Sequence, residues 1–146
     1  MKDTTNINIP RVLLGGIAAG VIVFISNGIV NGAILSSDFQ NWAAGMGSLL
    51  HPPEQSISMS LWALMCLIHG IAGVWLYAGM RPRFGAGAKT ALLAGFFLWT
   101  VCKFTASFDF IALGILPGKI ITGQIIGSFV GILIGVFVGA LLYKEE

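Results

Sequence analysis

Four long apolar runs, separated by short polar stretches, account for most of the chain. They span roughly Val12–Leu35, Ile57–Met80, Thr90–Leu113 and Ile120–Tyr143. Each holds about 24 residues, and a helix of that length reaches roughly 36 Å, enough to cross a hydrocarbon core of about 30 Å with some tilt. The pattern predicts an all-α, integral membrane four-helix bundle forming a single membrane domain over residues 1–146. The first run follows a polar stretch bracketed by Lys2 and Arg11. It exceeds the roughly 7–15 apolar residues of a signal peptide, and no small-x-small cleavage site follows it, so a retained helix is expected.

Between the first two spans, Ser37 and Gln40 have the spacing of a capping box. Phe39, Trp42, Ala43, Met46 and Leu49 or Leu50 then fall on one helical face. This predicts a short interfacial helix over roughly 38–50, ended by Pro52 and Pro53. Trp62, Trp75 and Tyr77 lie near the ends of the second span, as in an aromatic belt.

The fourth span carries Gly123, Gly127, Gly131, Gly135 and Gly139, a glycine at every fourth position. Residues four apart lie nearly above one another on a helix, so these glycines form a groove without side chains. Such a groove admits a second helix backbone to backbone, which is how helices associate where lipid removes the hydrophobic drive. The stripe drifts by about 40° per step, because four residues overshoot a turn of about 3.6. A partner is therefore expected at the right-handed crossing of Gly-xxx-Gly pairs. Gly16, Gly20, Gly28 and Gly32 repeat the spacing in the first span, making it the expected internal partner. The alternative is a homo-oligomer interface, or a pore if several copies form a ring.

Composition sharpens this picture. The chain is 56% hydrophobic and 10% charged, against about 25% charged in soluble domains, and its mean hydropathy is +0.90. A net charge of +2 is too small and dispersed for a nucleic-acid partner. Lys2, Arg11, Arg81, Arg83, Lys89 and Lys144 share one side of the predicted topology, with only Lys119 in the opposite loops. The positive-inside rule then puts both termini in the cytoplasm, with the Trp42 segment facing outward. Arg81, Arg83 and Lys89, in the turn between spans two and three, are expected to meet anionic lipid headgroups. Cys66 and Cys102 both lie within apolar runs, which argues against a secreted disulfide framework but leaves one bridge between helices open.

The stretch Trp75-Leu76-Tyr77-Ala78, Arg81-Pro82-Arg83-Phe84-Gly85, Gly87 and Lys89-Thr90-Ala91 resembles a signature of an uncharacterised family of small four-helix bacterial membrane proteins. Asn31-Gly32 and the closing Leu141-Leu142-Tyr143-Lys144-Glu145 are similar to its pattern as well, whereas Gly28-Ile29 stands where that pattern has an acidic residue near the Asn-Gly pair. The resemblance implies the fold and a bacterial inner-membrane location, and brings no activity with it.

Candidate chemistry is sparse. Asn27, Asn31, His69, Lys103 and Asp109 fall within or near the outer half of the spans, counted by helical rise. Ionisable residues within a span mark functional sites by default, because burying them in lipid is costly. These five are a candidate pocket or path for a small polar or anionic solute, with Lys103 supplying charge. The structural alternative has Lys103 snorkelling towards Asp109 or headgroups while the asparagines lock helices together. Cys66 and His69 are three apart, but one of each is too few for a closed metal site. Haem would require two copies of His69 across a dimer axis, so no metal or cofactor is expected. Gly85-Ala86-Gly87-Ala88-Lys89-Thr90 fails the P-loop pattern. No catalytic triad or carboxylate pair is present, so an enzyme is not expected. Two readings stay open. The first is a packing or accessory protein engaging lipid or other membrane subunits through its glycine-rich faces. The second is a small transporter or channel using the polar layer.

Overall fold

The computed structural model describes residues 7–144, so Lys2 of the basic end and the closing Glu145 and Glu146 lie outside it. The described chain forms α1 (Ile9–Ile29), α2 (Ser36–Met46), α3 (Gln55–Phe84), α4 (Ala88–Trp99), α5 (Thr105–Leu113) and α6 (Gly118–Leu142). A π-helical turn over Val30–Ile34 extends α1, and another over Thr100–Phe104 joins α4 to α5. Four helical stretches are therefore long and apolar enough to cross a membrane: Ile9–Ile34, Gln55–Phe84, Ala88–Leu113 and Gly118–Leu142. Apolar side chains such as Ile17, Ile25, Leu64, Phe97 and Ile126 are exposed on their outer faces, as expected of a multi-pass membrane protein whose solvent there is lipid.

Several boundaries differ from expectation for local reasons. α1 starts at Ile9 rather than Val12 because Asn8 caps it, its Oδ1 accepting from the Arg11 amide at 3.2 Å, with Pro10 in the first turn. The Ser37–Gln40 capping box does not form. Leu35 occupies the N-cap of α2, and Gln40 instead donates to the Ser36 hydroxyl at 3.3 Å. α3 continues through Arg81-Pro82-Arg83-Phe84, which were expected in a turn. Pro82 sits in the last turn, and Gly85 ends the helix with φ +81. Cys66 and Cys102 are both free thiols.

α1 packs on α3 and α6, and α4 packs on the same two helices from the other side. The glycine stripe of α6 lies against α1 of the same chain. A methyl built on Gly123, Gly127 or Gly131 would come within 2.9 Å of Leu35, Val30 and Ser26 respectively. Gly135 and Gly139 face the carbonyls of Ala19 and Gly15, which a methyl built on each would approach to 2.8 and 2.6 Å. The surface of α1 that receives the stripe is thus Gly15, Ala19, Ser26 and Val30, which corrects the expected pairing with Gly16, Gly20, Gly28 and Gly32. Gly16 and Gly20 face α3 instead, where a methyl built on each would come within 2.6 Å of the Ile71 Cα and 2.9 Å of the Leu67 Cα. A methyl built on Gly28 or Gly32 would meet nothing within 4 Å. Helical drift is the reason. At about 100° per residue, Gly28 lies roughly 120° and Gly32 roughly 160° around the helix from Gly16.

At the end of the bundle where α1 begins and α6 ends, Tyr77 and Tyr143 meet edge to face at 6.1 Å. The Arg81 guanidinium lies over both rings, at 5.8 and 5.3 Å from their centroids. Arg81 is thus half-buried within the bundle, whereas Arg83 and Lys89 are exposed. The Tyr143 hydroxyl accepts from the Asn8 amide at 3.2 Å, tying the start of α1 to the end of α6. Tyr143→Phe keeps the ring stack and loses this bond. It should cost about 0.5–1.5 kcal/mol, read as a lowered midpoint of unfolding in mixed SDS–detergent micelles.

Candidate functional site

The opposite end of the bundle is less tightly closed. α4 packs on α3, but α5 keeps backbone contact only with α6 and the π turn before it. The turn over Thr100–Phe104 inserts extra backbone into the third span, and such insertions redirect a helix and often occur at functional sites. Back-bonds from the Thr100, Thr105 and Ser107 hydroxyls to the carbonyls four residues earlier, at 2.8, 2.6 and 2.8 Å, favour the same bend.

The gap this leaves is a cavity of about 310 Å³. Asn27, Asn31, Lys103, Ser107, Gln124 and Ser128 supply its polar lining, with Trp62, Met65 and Cys102 among the other walls. Asn31 and Lys103 each sit within a π turn, one on each side of the cavity. Asn31 stabilises its own turn by donating to the Asn27 carbonyl at 2.9 Å, and its Oδ1 accepts from Gln124 at 3.2 Å. Asn27, 7% exposed, donates to Cys66 Sγ at 3.6 Å.

Among the described residues, Lys103 is the only charged one in the lining. Among the described residues its Nζ finds one hydrogen-bond partner, the Met65 thioether across the gap at 3.6 Å. An ammonium has three donors and a thioether is a weak acceptor, so this contact leaves most of its donor capacity uncommitted. The surrounding side-chain amides each bring an acceptor and two N–H donors. Together they suit a small solute that carries negative charge or several oxygens.

Of the five residues expected in this layer, the structure brings Asn27, Asn31 and Lys103 together. His69 does not line the cavity. Its Nδ1 is paired with the Met65 carbonyl at 2.6 Å, so Met65 links His69 through its backbone and Lys103 through its sulfur. Asp109 is exposed and outside the lining. Six residues beyond Lys103, it lies about 9 Å nearer the outer surface and well around the helix circumference. Gln124, Ser107 and Ser128 were not anticipated. Gln124 and Ser128, four apart in the most apolar span, carried the available signal. Among the described residues no three His, Cys, Asp or Glu side chains come together as a metal site.

Beside this cavity lies a groove of about 570 Å³, lined by Phe24, Gly28, Gly32, Phe39 and Met59 and sharing Asn31, Trp62 and Gln124 with it. α2 roofs the groove. It is held there by the Trp42 indole, which donates to the Ile115 carbonyl at 2.8 Å, and by the Lys119–Asp38 ion pair at 2.8 Å. No protein-family model, curated protein or solved structure matches the chain.

Proposed function

We propose that this chain is a small transporter or channel of the bacterial cytoplasmic membrane, taking a polar or anionic solute into the cavity beside Lys103. The observation that carries the reading is a lysine placed between transmembrane helices, lining a cavity of about 310 Å³ with a thioether as its hydrogen-bond partner. Such a group is costly in a membrane unless water or a solute reaches it. The clustering of Arg81, Arg83, Lys89 and Lys144 at one end of the bundle supports cytoplasmic termini, with the cavity in the outer half.

The accessory-protein reading draws less support. The glycine faces that would meet a partner are filled by the chain's own helices, α6 against α1 and α3 against α1. Gly28 and Gly32 are the exceptions, and they open on the groove. Neither a catalytic step nor a cofactor enters this proposal.

Butyrate, titrated against the protein in phosphatidylcholine nanodiscs, is a suitable short anionic probe. Its binding should be visible in tryptophan fluorescence, because Trp62 lines the cavity. Lys103→Met should weaken it at least tenfold, the equivalent of about 1.4 kcal/mol. Equal butyrate binding by the variant and the wild type would rule out Lys103 as the recognition group.

A further inference from the structure

The polar cavity and the apolar groove are not independent. Asn31, Trp62 and Gln124 line both, so the charged compartment adjoins the apolar one along this shared wall. Their linings differ in kind: the groove is bounded mainly by Phe24, Phe39, Met59 and Trp62, the cavity by Lys103 and its amide and hydroxyl neighbours. Gly28 and Gly32 leave the groove floor empty, since a Cβ built on either would meet nothing within 4 Å. The volumes, about 570 and 310 Å³, lie within the roughly 300–1,000 Å³ that holds one small ligand.

We infer that the solute is a single-chain amphiphile with a monoanionic head, a fatty-acid-like carboxylate, whose head occupies the Lys103 cavity while its chain lies in the Gly28–Gly32 groove. This rests on the solute-binding reading above and names the class of its ligand. Charge complementarity selects the head. Among the described residues Lys103 is the one charge lining the cavity, and it matches one carboxylate. The side-chain amides of Asn27, Asn31 and Gln124 each retain an N–H beyond the hydrogen bonds they already make. The groove selects the tail, because an acyl chain buries apolar surface there without desolvating any charged group of the protein. The junction at Asn31, Trp62 and Gln124 is where head and tail would meet. α2, pinned by Trp42 and Lys119, covers one side of the groove with Phe39 and Gln40. The ligand would therefore enter sideways from the bilayer.

Three probes separate the parts: laurate, which has head and tail; dodecanol, which has the tail without the charge; and butyrate, which has the head without the tail. Each is titrated in nanodiscs against the wild type, Lys103→Met and Gly32→Leu. Gly32→Leu fills the groove at a position with free space and should keep the wild-type unfolding midpoint; Gly28→Leu serves as a second groove-filling variant. The wild type should bind laurate at least tenfold more tightly than dodecanol. Lys103→Met should erase that preference. Gly32→Leu should weaken laurate at least tenfold and leave butyrate unchanged, a pattern that partitioning into lipid cannot produce. If groove filling leaves laurate untouched while Lys103→Met still weakens butyrate, the amphiphile inference fails and the solute-binding reading stands. If neither anion responds to Lys103→Met, both fail.

Discussion

Gly70→Leu is expected to abolish the fold, whereas Gly28→Leu leaves it intact. Gly70 of α3 sits directly against the backbone of α1. A methyl placed on it would collide with the Gly16 carbonyl oxygen and the Gly20 nitrogen, and would lie 2.7 Å from the Gly20 Cα. The obstruction is backbone on both helices, with no flexible side chain to move aside. Added core methylenes typically cost about 1–3 kcal/mol where neighbours can adjust. Here α1 and α3 would have to separate along their shared length, so the cost should exceed about 4 kcal/mol, the range of exceptional substitutions. Loss of a monodisperse species after detergent extraction, and of any cooperative transition in SDS titration, would report it. Gly28 has open space at the same test and should shift the midpoint by no more than about 0.5 kcal/mol. Equal behaviour of the two variants would mean that the α1–α3 contact is not as described.

The second large effect is expected at Trp99. Its indole is 9% exposed and donates to the Ser128 hydroxyl and the Ile125 carbonyl, both at 3.2 Å. Phe104 and Phe129 pack on the ring with centroids 5.1 and 4.9 Å away. It lies at the last α-helical position before the π turn that carries Lys103, and it fastens that turn to α6. Trp→Ala in a packed interior costs about 3–5 kcal/mol. The lower end applies here, because lipid compensates for part of the lost burial whereas the ring contacts and hydrogen bonds are not replaced. Trp99→Ala should therefore lower stability by about 3 kcal/mol in SDS unfolding. It should also weaken butyrate binding, since Lys103 loses its fixed position. A stable variant with unchanged binding would show that the aromatic cluster does not position the site.

Much of the architecture was legible because lipid imposes simple rules. Four apolar runs of spanning length could be little else than four helices, and glycines every fourth residue in α6 announced a close helix contact. The identity of the face that fills this contact was not legible. Gly16 and Gly20 share their spacing with the α6 stripe, but the Gly15–Ala19 face one residue away receives it. Telling adjacent faces apart requires knowing how each helix is rotated, which depends on all its neighbours at once. Asn27, Asn31 and Lys103 stood out as polar residues in apolar spans, and depth alone brought them together. Depth alone also drew in Asp109, which points elsewhere. The π turns left no mark that composition could reveal. One inserted residue changes neither hydropathy nor spacing enough to be seen, yet these turns carry Asn31 and Lys103 and accompany the opening of the cavity between α3 and α5.

Cys102 offers the most direct test, because its thiol is free and lines the cavity beside Lys103. Proteoliposomes holding the protein would be treated with an anionic methanethiosulfonate or its cationic analogue, and modification of Cys102 located by mass spectrometry. A water-accessible cavity governed by Lys103 predicts that the anionic reagent modifies Cys102 faster, that butyrate slows it, and that Lys103→Met removes the preference for negative charge. Failure of both reagents to modify Cys102, or a charge preference indifferent to Lys103→Met, would contradict the account.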